Sequence, residues 1–215
     1  MAFTVRLWLH RDGDDLATRI SEGKAGLGQV LPFALPLGAR LNISALGINS
    51  VSGPLVWQRG VGYCTLSASV PDEAAPGTHT EWVRAYAGEF EIARVLFTVQ
   101  VGRVASQPED VTQITRPYRA AFVCHADDDG AAVRARLRPL GKMLPHLALV
   151  TNSGDLRFAK DWRGELRRTL GRCDVMYLME SEAARKSATV GIERSAAEET
   201  HGADFVVRVP LGDLA

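Results

Sequence analysis

The residues of this chain best suited to chemistry are carboxylates. Three of them, Asp127, Asp128 and Asp129, stand together between a short apolar run and Gly130. Another, Glu193, sits inside residues 182–200, which read as mostly helical; it follows Thr189 by four positions and Ser187 by six. Positions four apart share a helix face, so Thr189 and Glu193 are expected to point the same way. A single well-placed carboxylate can offset the positive charge that builds on a sugar ring when an N-glycosidic bond breaks. The triple aspartate has two readings, a metal cluster or an acidic N-terminal run that favours the helix opening at Gly130. The second is preferred, because a metal-dependent phosphoacceptor site would also want an Asp at the end of the third strand, where this chain has Glu180. Cys124 and His125 are neighbours on a strand, and neighbouring strand residues face opposite ways, which disfavours a nucleophilic pair. His10, His79, His146 and His201 show no ligand spacing, so no metal is expected.

The elements that must position these residues change character along the chain. Residues 1–102 read as a β-rich domain, sandwich-like in pattern. Phe3 to His10, Arg40 to Leu46, Tyr63 to Val70 and Thr80 to Tyr86 are β-prone, and a turn at Ala87, Gly88 and Glu89 leads to a long run from Phe90 to Val101. Pro71 to Gly77 reads as loop, and Trp57 and Trp82 suit the core of that domain. Residues 103–116 are polar and read as a linker. Residues 117–215 alternate strand and helix. The strands are Ala120 to Cys124, His146 to Val150, Asp174 to Met179 and Asp204 to Val209. The helices run from Gly130 to Met143, from Trp162 to Leu170 with Asp161 as N-cap, and through 182–200, where His201 and Gly202 stop the last one. Such alternation implies a parallel sheet with helices on both faces. Ligands of such sheets collect beyond the carboxyl ends of the strands, which here are His125 and Ala126, residues 153–157, and Glu180 with Ser181.

Three boxes in the C-terminal half resemble the Toll/interleukin-1 receptor (TIR) domain family, in the family's order. The first is Phe122, Val123, Cys124 and His125 with the acids that follow, similar to the family's F-I-S-Y strand and acidic turn. The second runs from Asp155 to Trp162 and on to Arg172, Cys173 and Asp174, similar to the loop after the second strand, the tryptophan opening the next helix and the Asp entering the third strand. The third is Ser187, Val190 and Glu193, which match S-x-W-V-x-x-E, with Thr189 in place of the tryptophan. The resemblance implies a flavodoxin-like α/β domain of the bacterial TIR kind. It implies cleavage of NAD, as substrate and not as cofactor, at the nicotinamide–ribose bond, in a microbial immune or antiphage defence effector. Glu193 would be the catalytic carboxylate, and His125, Ala126, Arg157, Trp162 and Ser187 would line the nucleotide cleft, with Phe158 as an alternative stacking ring. Nicotinamide in NAD is already a cationic leaving group, so one carboxylate suffices where glycosidases use two. The resemblance also implies self-association, in which the loop over residues 154–160 completes a neighbour's cleft. The alternative is a catalytically inactive interaction module, with the β domain as sensor or docking surface for a protein partner or signal.

Composition bounds these readings. The 25 basic side chains are cancelled by 25 acidic ones, and the balance holds on either side of Gly102, so a broad electrostatic grip on nucleic acid is not expected. No stretch of about 20 apolar residues exists to span a membrane, and the opening residues are too charged for a signal peptide. Cys64, Cys124 and Cys173 are odd in number and far apart, which fits a reducing compartment. A cytoplasmic protein is the expectation. The series Arg163, Arg167, Arg168 and Arg172 reads as a solvated helix face.

Overall fold

Strands of opposite kinds occupy the two ends of the chain. The computed structural model describes residues 2–10, 40–46, 49–50, 53–56, 61–69, 75–101, 114–151 and 161–212. The chain divides into two compact units, Met1–Pro117 and Tyr118–Ala215.

In the first unit the described elements are antiparallel strands in two sheets. β1 (Ala2–His10) pairs with β5 (Val61–Ser69), which also pairs with β3 (Asn49–Ser50). The second sheet has the order β4-β2-β6-β7-β8, with β2 at Arg40–Leu46, β4 at Gly53–Val56, β6 at Gly77–Ala87, β7 at Phe90–Val101 and β8 at Ile114–Pro117. The hairpin β6–β7 turns on Gly88 and Glu89, and Gly88 takes a φ of 63°, a conformation that costs glycine nothing. The strand β8 corrects the linker reading. Residues 114–116, taken from their polarity as linker, belong to a ladder against Ala93 to Leu96 of β7. An edge strand needs only one apolar side, so composition alone hides it. Residues 103–113 and Trp57 lie outside the described residues, and Trp82 is half-buried.

The second unit is a four-stranded parallel sheet with helices. Its strands are β9 (Ala120–Cys124), β10 (Ala148–Thr151), β11 (Val175–Glu180) and β12 (Val206–Pro210), in the order β10-β9-β11-β12. The helices are α1 (Gly130–Met143), α2 (Trp162–Leu170), α3 (Glu182–Lys186) and α4 (Ala188–His201). Phe122, Cys124, Met176 and Leu178 pack with Leu166 and Leu170 of α2 and Val190, Ala196 and Ala197 of α4 in one cluster. The alternate residues Ala121, Val123, Val175, Tyr177 and Met179 point to the opposite face and are buried as well. Helix α1, whose buried Val133, Leu137 and Leu140 are outside that cluster, belongs to this second face, as a right-handed crossover from β9 out to β10 requires. The helix expected over 182–200 is two helices, broken at Ser187, whose side chain caps α4. Gly202, at φ 87°, ends α4. Among the described residues no helix is long and apolar enough to cross a membrane.

Candidate functional site

The sheet order fixes where a ligand would bind. From β9 the chain moves outward to β10, and from β11 it moves the other way to β12, so the connections diverge between the adjacent strands β9 and β11. Open α/β sheets bind ligands at this switch point, beyond the carboxyl ends of the strands. Here those ends are Cys124 to Asp129 on one side and Glu180 to Ser187 on the other.

Asp174 shows how the sheet is held in register for this purpose. Its carboxylate accepts the backbone N–H groups of Arg119 at 2.7 Å and Ala120 at 3.1 Å, and its own N–H donates to the carbonyl of Ala120. It therefore locks the starts of β9 and β11 together. The Asp at this place in the second box has a structural task of its own.

At the carboxyl edge, His125 is half-buried and its Nδ1 lies 2.7 Å from the carbonyl of Ala126. A carbonyl only accepts, so this hydrogen bond has Nδ1 protonated, which leaves Nε2 to present a lone pair when the ring is neutral. Ala126 is buried in the core cluster. Cys124 is buried with its thiol against the carbonyl of Val190 at 4.0 Å; His125 makes its contact elsewhere, so the two form no dyad. Asp127–Asp129 form a short 3-10 turn, and no side chain caps α1. The acidic run stands before α1 with Asp129 at its N-cap position, as expected, but without a capping hydrogen bond from its side chain: Asp127 and Asp128 are exposed, while the carboxylate of Asp129 accepts the hydroxyl of Ser181 at 2.6 Å. Among the described residues no three His, Cys, Asp or Glu side chains converge as a metal site would need.

Ser187 is the N-cap of α4, its hydroxyl accepting the N–H of Val190 at 3.4 Å. The Ser of the third box thus starts the helix that carries Glu193. Glu193 is 1% exposed, and with Glu91 it is one of two buried charged residues among the described residues. It follows Val190 on the buried face of α4, one turn and about 4.5 Å farther along the helix axis. Since Val190 already touches the last residue of β9, Glu193 lies beneath the carboxyl edge, enclosed. Thr189 is half-buried.

Trp162 opens α2, half-buried against the core cluster, with the Arg163 guanidinium 5.7 Å from its ring centre. Arg157 and Phe158 lie outside the described residues. The structure thus brings His125, Ala126, Ser187 and Glu193 to the β9 and β11 side of the sheet. A shallow groove of about 410 Å³ runs between α2 and α4, lined by Arg163, Arg167, Ala188, Gly191, Ile192 and Glu199. None of the expected cleft residues lines it. Arg163, Arg167, Arg168 and Arg172 are exposed, as a solvated face would be.

Sequence reasoning did not find Glu91. It is fully buried in β7 and pairs with Arg84 of β6 at 3.3 Å and with Arg94. Its signal was weak, since a charge within a strand ordinarily faces water. Burial turns it into the centre of an ion triad that ties the hairpin together.

No family model, curated protein or solved structure matches the chain.

Proposed function

We propose that the second unit is a flavodoxin-like module of the TIR kind that cleaves NAD at the nicotinamide–ribose bond, in a self-associating defence effector of a microbe. The observation that carries this reading is Glu193, a carboxylate enclosed at 1% exposure on the helix that packs against the end of β9. Burying a charge is costly. The strand order has its switch point between β9 and β11, the place where open α/β sheets bind their ligands. In the reaction the bond from ribose C1′ to the nicotinamide nitrogen breaks and its electron pair stays with neutral nicotinamide. Water then adds to C1′ and loses a proton, giving ADP-ribose. Glu193 would offset the charge on the ribose at the transition state. In this reading His125 and Ser187 would contact the substrate, and Arg157 would meet a phosphate. Glu193 is enclosed in this conformation, so substrate must gain access to it for the reaction to proceed.

A second reading draws on the same burial. A carboxylate closed off from substrate, with Thr189 where the family has tryptophan, suits an interaction module without chemistry, the β unit being its sensor or docking surface. Incubation of concentrated protein with NAD separates the two. Loss of NAD that disappears in Glu193→Gln supports the enzyme. Intact NAD at every concentration, with the protein forced to oligomerise, removes the enzyme reading and leaves the interaction module.

A further inference from the structure

Ser181 bridges the two sides of the switch point. Its hydroxyl donates to the carboxylate of Asp129 at 2.6 Å, in the turn that follows β9, and accepts the N–H of Ala184 at 2.8 Å, capping α3 after β11. One hydroxyl therefore joins the end of β11, the start of α3 and the entry to α1. The join spans the switch point, where neighbouring strands send their connections apart and no backbone ladder holds the loops together. Helix α3 has only five residues and runs directly into Ser187, the cap of α4. A helix that short has little stability of its own, so its position is set by what holds its first turn. Both residues are half-buried, which limits competition from water.

We propose that Asp129 is a positioning residue. By orienting the Ser181 hydroxyl it fixes α3, and through α3 the start of α4, the helix that carries Glu193. This rests on the NAD-cleaving reading for its catalytic consequence, whereas its structural consequence stands apart from it. Asp128, exposed on the same turn, serves as the comparison. The sequence offers three equivalent acids, and only the fold distinguishes the third.

The test measures two quantities in the full-length chain. A hydrogen bond to a charged acceptor shifts a local opening equilibrium by about tenfold or more, so Asp129→Ala is expected to speed amide hydrogen exchange about tenfold in residues 182–190. Asp128→Ala is expected to leave that exchange unchanged. Asp129→Asn keeps an acceptor for the hydroxyl and is expected to recover most of the protection. In NAD turnover, Asp129→Ala should lower kcat about tenfold or more with a smaller change in KM, because Glu193 is displaced while His125, outside the loosened segment, keeps its place. Unchanged exchange in Asp129→Ala, or equal acceleration in Asp128→Ala, overturns the proposal. So does wild-type kcat in Asp129→Ala. If the wild-type protein leaves NAD intact, the function proposed above fails and the exchange measurement alone decides the positioning role.

Discussion

At the scale of single residues, Glu193 governs what can be expected of mutants. A surface glutamate could be cut back to alanine with little effect on stability, but this one is 1% exposed. Glu193→Ala removes buried polar contacts and leaves a small void. It should cost about 1–3 kcal/mol of stability, a fall of several degrees in Tm. Glu193→Gln preserves shape and is the variant to use for chemistry. It should remove a catalytic carboxylate's contribution, about 10²–10³ in rate, with Tm shifted far less than in the alanine variant. A Gln variant that turns over NAD at the wild-type rate would discard the assignment. Cys173 provides a second check. Burial, reinforced by the neighbouring Asp174 carboxylate, pushes its thiol up to about 11. The folded protein should resist alkylation at Cys173 at pH 8 and be labelled rapidly once unfolded, as peptide mass spectrometry would show. The sign for stability follows. The folded state holds this proton more tightly than the unfolded chain, so the contribution is full below about 9 and is lost as pH rises from there towards 11.

At the scale of elements, ladders and caps decide more than composition does. The hairpin β6–β7 is tied by Glu91 between Arg84 and Arg94, and Glu91 is fully buried. Removing the central partner leaves two arginines facing each other across the strands. Glu91→Ala is therefore expected to destabilise the protein by about 3 kcal/mol or more, measured by urea denaturation. A loss below about 1 kcal/mol would mean that the triad does not hold the hairpin. In the second unit the periodicity marks α1 and α2 to the residue, because Gly130, Asp161 and the apolar spacing are local signals. The break at Ser187 was not legible, since Ala183, Ala184, Ala188 and Val190 continue a helical pattern across it. What breaks the helix is the Ser187 cap together with the contact of Val190 on Cys124, a residue 66 positions away. The same holds for the acidic turn. Its charge and place before α1 suggest capping, but Asp129 is claimed by Ser181, 52 positions distant.

At the scale of the whole molecule, the chain divides into two compact units between Pro117 and Tyr118. A fragment of residues 1–117 should give a circular dichroism spectrum without strong helix bands, and one of residues 118–215 should show them. A fragment cut at residue 102 lacks β8, leaves the middle of β7 with an open edge, and should be less soluble than the longer one. A strongly helical spectrum for residues 1–117 would contradict the strand assignment. Self-association is best read from light scattering across concentration: on the proposed reading NAD loss per molecule rises as the protein assembles. A strict monomer with full activity would dissociate the two. The sequence by itself determined the alternation of strand and helix after residue 117, the candidate carboxylate and its motif partners, because periodicity, caps and short spacings are local properties of the chain. The tertiary structure alone decided the strand order that makes a switch point, the burial of Glu193 and Glu91, the ladder that takes in β8, and which aspartate of three reaches Ser181. Each of these depends on residues far apart in the chain arriving at one place, and no local pattern encodes that meeting.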